Sequence, residues 1–330
     1  MEKVLVTGAG GFLGLALVKL LLTKGIQVNA LVRRDNPELG QLDVTIFKGD
    51  LTDYMAVEDA ARDCDTVFHV ASKAGVWGAE EQYIASNITG TQHVIEACEN
   101  LAISRLIYTS TPSVIFSGKD EDGVDESAPY SNNPLNHYTA TKIAAEKMVL
   151  AANSDTLLTT SLRPHLIWGP GDPHLIPRVI SKAKAKRLAL VGNRDKLVDT
   201  VYVDNAALAH YQAAVELTQD AKCAGKAYFV SNDQPVTMAT MLNDILYAAG
   251  LPPVQKRVSS QLAFAVGASL EFIYGVLRLK QEPAMTRFVA KQLATAHWFD
   301  ISAAKRDFGY QPTISMTQGM AKLKQSLNQS

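Results

Sequence analysis

The chain has 330 residues, 47% of them hydrophobic and 20% charged, with 32 Lys and Arg against 33 Asp and Glu. This balance fits a chain that buries a core, and a net charge of -1 offers no basic field for nucleic acid. The three cysteines, Cys64, Cys98 and Cys223, are too few and too scattered for a disulfide framework or a zinc site, and the histidines carry no metal spacing, so a reducing cytoplasm and no metal are expected.

The first half alternates in pattern. KVLVT (3–7) is a short apolar run, and no signal peptide is expected ahead of it. Glycines follow, then a helical pattern from Phe12 to Lys24. QVNALVR (27–33) and VTIFKGD (44–50) have the composition of strands, and Asp53 is placed to cap a helix reaching about Asp63. TVFHVA (66–71) is a fourth strand. RLIYTS (105–110) is a fifth, after a long helix through Ile95. Strands alternating with helices imply right-handed crossovers and a parallel sheet. Nearly continuous apolar strands imply a sheet covered on both faces. The expected fold is α/β, a Rossmann-type doubly wound parallel sheet.

A polar stretch (118–137) separates this half from a helix starting near Tyr138, and TTSLRPHLIWG (159–169) continues the sheet. Beyond about 170 the alternation fades. Helical segments at 174–187, 205–217 and 237–249 mix with short strands such as KAYFV (226–230). We expect a dinucleotide-binding domain over 1–170, rejoined by a segment at about 198–230, and a smaller substrate lobe drawn mainly from 171–330. Leu262 to Leu279, LAFAVGASLEFIYGVLRL, nearly has the length of a membrane span, but Glu271 and Arg278 interrupt it; a span wants about 20 apolar residues. A helix of the smaller lobe facing core or substrate is expected, with a peripheral membrane or partner-docking surface as the alternative.

Residues 7–14, TGAGGFLG, lie between the first strand and the first helix, with Gly8, Gly11 and Gly14 in GxxGxxG spacing. Such glycines permit a tight turn and close approach of a pyrophosphate to the helix N-terminus, so nucleotide binding is expected rather than a mere turn. The second strand ends LVRRD (31–35). Arg33 falls about where this fold reads the adenosine ribose, and a guanidinium there accommodates a 2′-phosphate. NADPH/NADP+ is therefore expected ahead of NAD. Asp35 would serve NAD if the register shifted, and a solvated Arg pair is the plainer alternative. Asp50, after the third strand, is a candidate for the adenine amine.

Tyr138 and Lys142 stand at i and i+4 in YTATK and share one helix face. A phenol with a pKa near ~10 needs a nearby positive charge to exchange protons at neutral pH. YTSTPSV (108–114), at the end of the fifth strand, supplies Ser110, Thr111 and Ser113 as hydroxyls to hold a reacting oxygen.

TGAGGFLG, GDLTD, HVAS, NITGT, YTSTPSV, YTATK, LRPHLIWGPGD and VYVDNAA occur in the order of the extended short-chain dehydrogenase/reductase superfamily, which the sequence resembles over nearly its whole length. WFDISAAKRDFGYQP (298–312) resembles the C-terminal signature of its 3β-hydroxysteroid dehydrogenase-like branch. The resemblance implies Tyr138 as general acid, Lys142 as the residue that binds the nicotinamide ribose and lowers the Tyr pKa, and Thr111 in place of the usual Ser. Pro112 directly after it is a departure that leaves Ser113 as a rival. It implies a cofactor site of Gly8, Gly11, Phe12, Leu13, Arg33, Asp50, Leu51, Ala71, Lys73, Tyr138, Lys142 and Pro164. Asn87 resembles the family's buried Asn near the cofactor, and Arg163 to Trp168 would lie beside the nicotinamide; for Asn87 and Arg163 a structural hydrogen-bonding role is the alternative.

Residues 69–78, HVASKAGVWG, together with YTSTPSV resemble the bacterial reductases of 2-alkyl-3-oxoalkanoic acids in long-chain olefin synthesis. The implied substrate is a lipid-like keto acid, with Lys73, Trp77, Ser113 and His165 as candidate contacts. Lys73 has two candidate anions, the cofactor pyrophosphate and the substrate carboxylate. A homodimer, assembly with other hydrocarbon-pathway enzymes and a cytoplasmic or membrane-peripheral setting are implied by resemblance alone. The competing readings are a 3β-hydroxysteroid dehydrogenase, a nucleotide-sugar epimerase or dehydratase using Lys182, Lys184, Lys186 and Arg187, and a non-catalytic NADP sensor.

Overall fold

The computed structural model describes residues 1–279 and 281–329. Its main sheet has seven strands: β1 (Lys3–Thr7), β2 (Gln27–Val32), β3 (Thr45–Lys48), β4 (Thr66–His69), β5 (Arg105–Thr109), β6 (Leu158–Pro164) and β7 (Lys226–Val230). They lie in the order β7-β6-β5-β4-β1-β2-β3, and every pair is parallel. The winding direction reverses between β1 and β4. In such sheets the crevice outside the strand ends at that point takes the ligand.

Alternation along β1 divides the core. Val4 and Val6 pack on one face with α1 (Phe12–Thr23), through Leu17 and Leu21, and with the helix Val203–Leu217. Leu5 packs on the other with α2 (Tyr54–Ala61), α3 (Gly90–Asn100) and α4 (His137–Ala151), through Val57, Val94 and Val149. Asp53 caps α2, accepting from the Met55 and Ala56 amides at 3.1 and 3.4 Å. The three cysteines are buried and unpaired.

Several local features depart from expectation. The run 159–169 is broken: Leu166 takes a left-handed φ of 42°, and Ile167–Trp168 leaves the main sheet to pair with Val201–Tyr202. The long helix before β5 contains a π-helical turn, Ile84–Thr89, ahead of α3. The polar stretch 118–137 holds a strand, Glu121–Val124, paired with His297–Phe299.

Beyond β6, α5 (Leu175–Lys184), α6 (Met238–Ala248) and the terminal helix Met316–Gln329 enclose a further core around Trp168, Tyr202 and Ile245. The apolar segment 262–279 forms α7 (Ser260–Val276), which packs on α8 (Arg287–Ala294). Only Ala263 and Gly267 of α7 are buried. Gly267 is needed there, because a Cβ would stand 2.7 Å from the Thr286 carbonyl carbon. The expected burial of this segment does not hold: Phe272, Val276 and Leu277 are 72%, 65% and 61% exposed. No helix among the described residues is long and apolar enough to cross a membrane.

Candidate active site

A cleft of about 700 Å³ runs along the carboxyl ends of β1, β2, β4, β5 and β6, a size within the range of small-molecule and cofactor pockets. It gathers Gly8, Gly11, Phe12, Leu13, Arg33, Asp50, Leu51, Ala71, Thr111, Tyr138 and Pro164. These positions are far apart in sequence and meet because parallel strands end at one edge.

The glycine loop is shaped by close approach. Gly8 has a φ of 68°, and a Cβ on it would meet the Ala71 Cα at 2.8 Å. A Cβ on Gly14 would meet the Gly8 carbonyl oxygen at 2.1 Å. Gly11 caps α1 with no side-chain hydrogen bond, and the first turn carries no acid. The helix end thus offers bare amides to an anion, which fits a pyrophosphate.

At the far end of the cleft the Arg33 guanidinium lies 3.6 Å from Asp50, with its side chain 68% exposed. Asp50 also accepts from the Thr52 amide at 3.0 Å and hydroxyl at 2.8 Å. Partial burial raises its pKa, but these hydrogen bonds and Arg33 together hold it below the usual carboxylate value. Asp35, the candidate that would serve NAD, is ion-paired with Lys48 at 2.8 Å. Asn36, not anticipated from sequence, donates to the Gly10 carbonyl at 2.9 Å and accepts from the Glu38 amide at 2.9 Å. The turn-forming Asn after RRD was its signal. Asp172 was also missed; it lines the cleft and accepts from the His174 and Ile176 amides at 2.7 and 2.9 Å.

Thr111 follows β5 by two residues and starts the short turn Pro112–Val114, accepting from the Ser113 amide at 3.2 Å. Pro112 occupies the first position of that turn, where a missing N–H does no harm. Thr111 also donates to the Ser113 hydroxyl at 3.2 Å, and its side chain favours the Tyr138 phenolate. Ser113 therefore stands behind Thr111, outside the cleft lining. Burial pushes the Tyr138 phenol up to about 12, against the opposing pull of Thr111. Tyr138 still keeps part of its surface open to the cleft.

Lys142 is buried one turn further along α4, and its ammonium donates to the Thr109 carbonyl at 2.5 Å and lies 4.1 Å from the Tyr108 ring centre. Burial brings its pKa down to about 7, while Glu146 opposes that shift. Glu146 is itself paired with Arg163 at 2.5 Å in the interior. Arg163 thus serves a buried ion pair, the structural alternative considered for it.

The remaining candidates, Lys73, Trp77 and His165, are not among the residues that line the cleft. The Lys73 ammonium lies 5.1 Å over the Tyr83 ring, and the Lys73 backbone is held by Asn87. Trp77 donates to the Leu279 carbonyl at 3.1 Å and sets its ring edge against Tyr274. His165 lies outside the cleft lining, 2.6 Å from His297. Because His297 Nε2 contacts the Gln292 carbonyl at 3.0 Å, it is the donor there. That leaves His297 Nδ1 to accept from His165 Nε2. Burial lowers His165 well below its ordinary value and His297 to about 4.

A parallel sheet with its crevice at the β1/β4 reversal, a glycine loop at a helix N-terminus and a Tyr/Lys helix beside it define an NAD(P)-dependent oxidoreductase of the extended short-chain dehydrogenase/reductase type. The chain belongs to the 3-beta hydroxysteroid dehydrogenase/isomerase family, whose sequence profile matches residues 5–258. It is 56% identical over 330 residues to the 2-alkyl-3-oxoalkanoate reductase of Shewanella oneidensis, covering 98% of this chain and 85% of that one. It is 34% identical over 335 residues to the sterol-4-alpha-carboxylate 3-dehydrogenase, decarboxylating, of Mus musculus, covering 99% and 91%. Among solved structures, gox2253 superposes with a TM-score of 0.82 at 23% identity, covering 100% of this chain and 98% of that one.

Proposed function

We propose that this protein reduces a 2-alkyl-3-oxoalkanoic acid to the 2-alkyl-3-hydroxy acid with NADPH, in the synthesis of long-chain olefins. The observation that carries the reaction type is the meeting of Tyr138 and Thr111 in the cleft that the glycine loop and Arg33 also line. The two relatives favour the substrate class. Both names place a carboxylate on the carbon next to the reacting one.

When bound between the glycine loop and Arg33, a reduced dinucleotide would supply a hydride to the carbonyl carbon. Tyr138 gives its proton to the carbonyl oxygen, so the ketone gains one hydride and one proton. Burial keeps the Tyr138 phenol protonated at neutral pH, and nearby positive charge would bring it down toward the working range. Thr111 hydrogen-bonds the same oxygen. Lys142 supplies positive charge that favours the phenolate left behind. Arg33, exposed and only loosely paired, would hold the 2′-phosphate, while Asp35 is occupied by Lys48. Lys73, in the loop after β4, would meet the substrate carboxylate. A homodimer, a cytoplasmic setting and work alongside other enzymes of the pathway belong to the same proposal and rest on resemblance to the relatives.

A panel of long-chain β-keto acids, 3β-hydroxysteroids and sugar nucleotides tests it, with NADPH absorbance and product analysis together. Turnover of the keto acid with NADPH is expected, and Lys73→Ala should raise its KM. Turnover confined to a sugar nucleotide or a steroid lacking the carboxylate would sink the substrate assignment.

A further inference from the structure

We propose that Tyr83 is a positioning residue that sets substrate preference: it holds the Lys73 ammonium ready for the substrate carboxylate, and so favours a free acid over its uncharged ester. The proposal rests on the keto-acid reading of the cleft and adds to it the residue that aims the cation. Among the described residues the Lys73 ammonium has neither a carboxylate nor a hydrogen-bond acceptor. Its neighbour is the Tyr83 ring, 5.1 Å away at the ring centre. An aromatic face attracts an ammonium without neutralising it and leaves its N–H donors open. Lys73 is only half-buried. A cation held in place but not paired can meet an anion that arrives from solvent.

Tyr83 is itself firmly set. It ends the short helix Glu80–Tyr83 and is 1% exposed. Its hydroxyl lies 3.1 Å from both the Gly75 and the Trp77 carbonyls and shares its one proton between them. Burial raises the pKa of this phenol, so it stays a donor. The loop after β4 wraps the ring. Gly78 has a φ of 147°, and a Cβ on it would stand 3.4 Å from Tyr83 Cε2 and 3.7 Å from Lys73 Cε. Further along the same helical segment, Asn87 holds the Lys73 backbone at its amide and its carbonyl. Asn87 thus fixes where Lys73 starts and Tyr83 fixes where it ends. A long, flexible side chain ordered before binding loses less entropy when the anion arrives.

The placing favours the substrate over the cofactor pyrophosphate. Ala71 is the residue packed against Gly8 of the glycine loop. By Lys73 the chain has turned toward α4: the Tyr83 ring lies 6.3 Å from the His137 ring, and His137 directly precedes Tyr138. Ser72 and Ala74, on either side of Lys73, line the cleft. The ammonium therefore sits on the side of the proton donor, where a carboxylate next to the reacting carbon would lie. An ester in the same place brings no charge to it.

The test compares a 2-alkyl-3-hydroxyalkanoic acid with its methyl ester, each oxidised with NADP+ and followed by NADPH absorbance. This reverses the proposed reduction: the alcohol carbon gives a hydride to the nicotinamide, and its hydroxyl gives a proton to Tyr138. The hydroxy compounds are used because β-keto acids lose carbon dioxide on standing. The readout is kcat/KM for the acid divided by kcat/KM for the ester. A merely structural loss lowers both alike and leaves this ratio unmoved. Lys73→Met should lower the ratio about tenfold or more. Tyr83→Phe keeps the ring but releases the two loop carbonyls, and should lower the ratio about threefold through the KM for the acid. Tyr83→Leu removes the ring as well and should lower it about tenfold. In the Lys73→Met background neither Tyr83 change should lower it further. A wild-type ratio in Tyr83→Phe overturns the proposal, whether or not Tyr83→Leu folds. If Lys73→Met has meanwhile lost the ratio, the keto-acid reading stands without Tyr83. An unchanged ratio in Lys73→Met overturns the proposal together with the carboxylate contact. Variants that raise the KM for NADP+ and leave the ratio alone also overturn it, and place Lys73 on the pyrophosphate.

Discussion

Asn87 holds the backbone of Lys73 from both sides: its Oδ1 accepts the Lys73 amide at 2.7 Å and its Nδ2 donates to the Lys73 carbonyl at 3.1 Å. The same Nδ2 donates to the Thr141 hydroxyl at 3.0 Å. One buried amide thus ties the loop after β4 to α4, between Tyr138 and Lys142. The π-helical turn Ile84–Thr89 aims it there. Asn87→Ala strands these groups and should destabilise the protein by about 1–3 kcal/mol or more. Urea unfolding measures that loss. Steady-state kinetics should show KM rising for substrate more than kcat falls.

Tyr138→Phe removes the proposed proton donor while keeping the ring. Ketone reduction should fall roughly 10²- to 10⁴-fold, with dinucleotide affinity near wild type by fluorescence titration. A wild-type rate in this variant would remove Tyr138 from the chemistry.

Arg33 is the proposed reader of the 2′-phosphate. Arg33→Ala should lower the ratio of kcat/KM with NADPH to that with NADH by about tenfold or more, the worth of a charge-assisted contact. An unchanged ratio would move cofactor selection elsewhere.

The Glu146–Arg163 pair is almost completely withdrawn from water, with side chains 0% and 4% exposed. Burial is the largest single influence on the Glu146 carboxyl and pushes its pKa up, but Arg163, Ser110 and Tyr130 together hold it below its ordinary value. Glu146→Ala leaves a buried guanidinium alone and should destabilise by about 3–5 kcal/mol in chemical denaturation. The double variant Glu146→Leu/Arg163→Met should recover much of that loss, because the penalty lies in an unmatched charge rather than a missing attraction.

His69 is buried between Thr7 and Thr91, at 2.8 and 3.0 Å. Thr91 spends its proton on the Asn87 carbonyl at 2.7 Å, so it accepts from His69 Nε2, and Nδ1 accepts from Thr7. Burial, with Lys142 adding to it, lowers the His69 pKa to about 3. The unfolded chain takes up this proton near pH 6.5 and the folded chain does not. Stability therefore falls as pH drops from about 6.5 toward 3, at up to about 1.4 kcal/mol per pH unit for this one site. The stability advantage of wild type over His69→Asn should shrink between pH 6 and pH 4 in urea titrations, and an advantage that stays constant would exclude a neutral, buried His69.

Much of the site was legible because its signals are local. The glycine spacing of 7–14, the hydroxyls of 108–114 and the Tyr/Lys pair each follow from a few adjacent residues. The order of strands and helices carried the parallel sheet. Three features were not legible. The π-helical turn that orients Asn87 depends on tertiary contacts with Lys73 and Thr141. The strand Glu121–Val124 hides in a polar stretch because its partner, His297–Phe299, lies far along the chain. His165 was drawn toward substrate by its place after β6, yet a distant histidine claims it.

The sequence by itself determined the alternation of strands and helices, the glycine turn and the placing of Tyr138 and Lys142 on one helix face, since backbone sterics and short-range periodicity settle them. Only the tertiary structure decided which way each side chain faces. It turned Lys142 to the Thr109 carbonyl, Arg163 inward to Glu146 and the apolar stripe of α7 outward. Those choices rest on burial and on partners distant in the chain, and apolar composition alone cannot tell an inner face from an outer one.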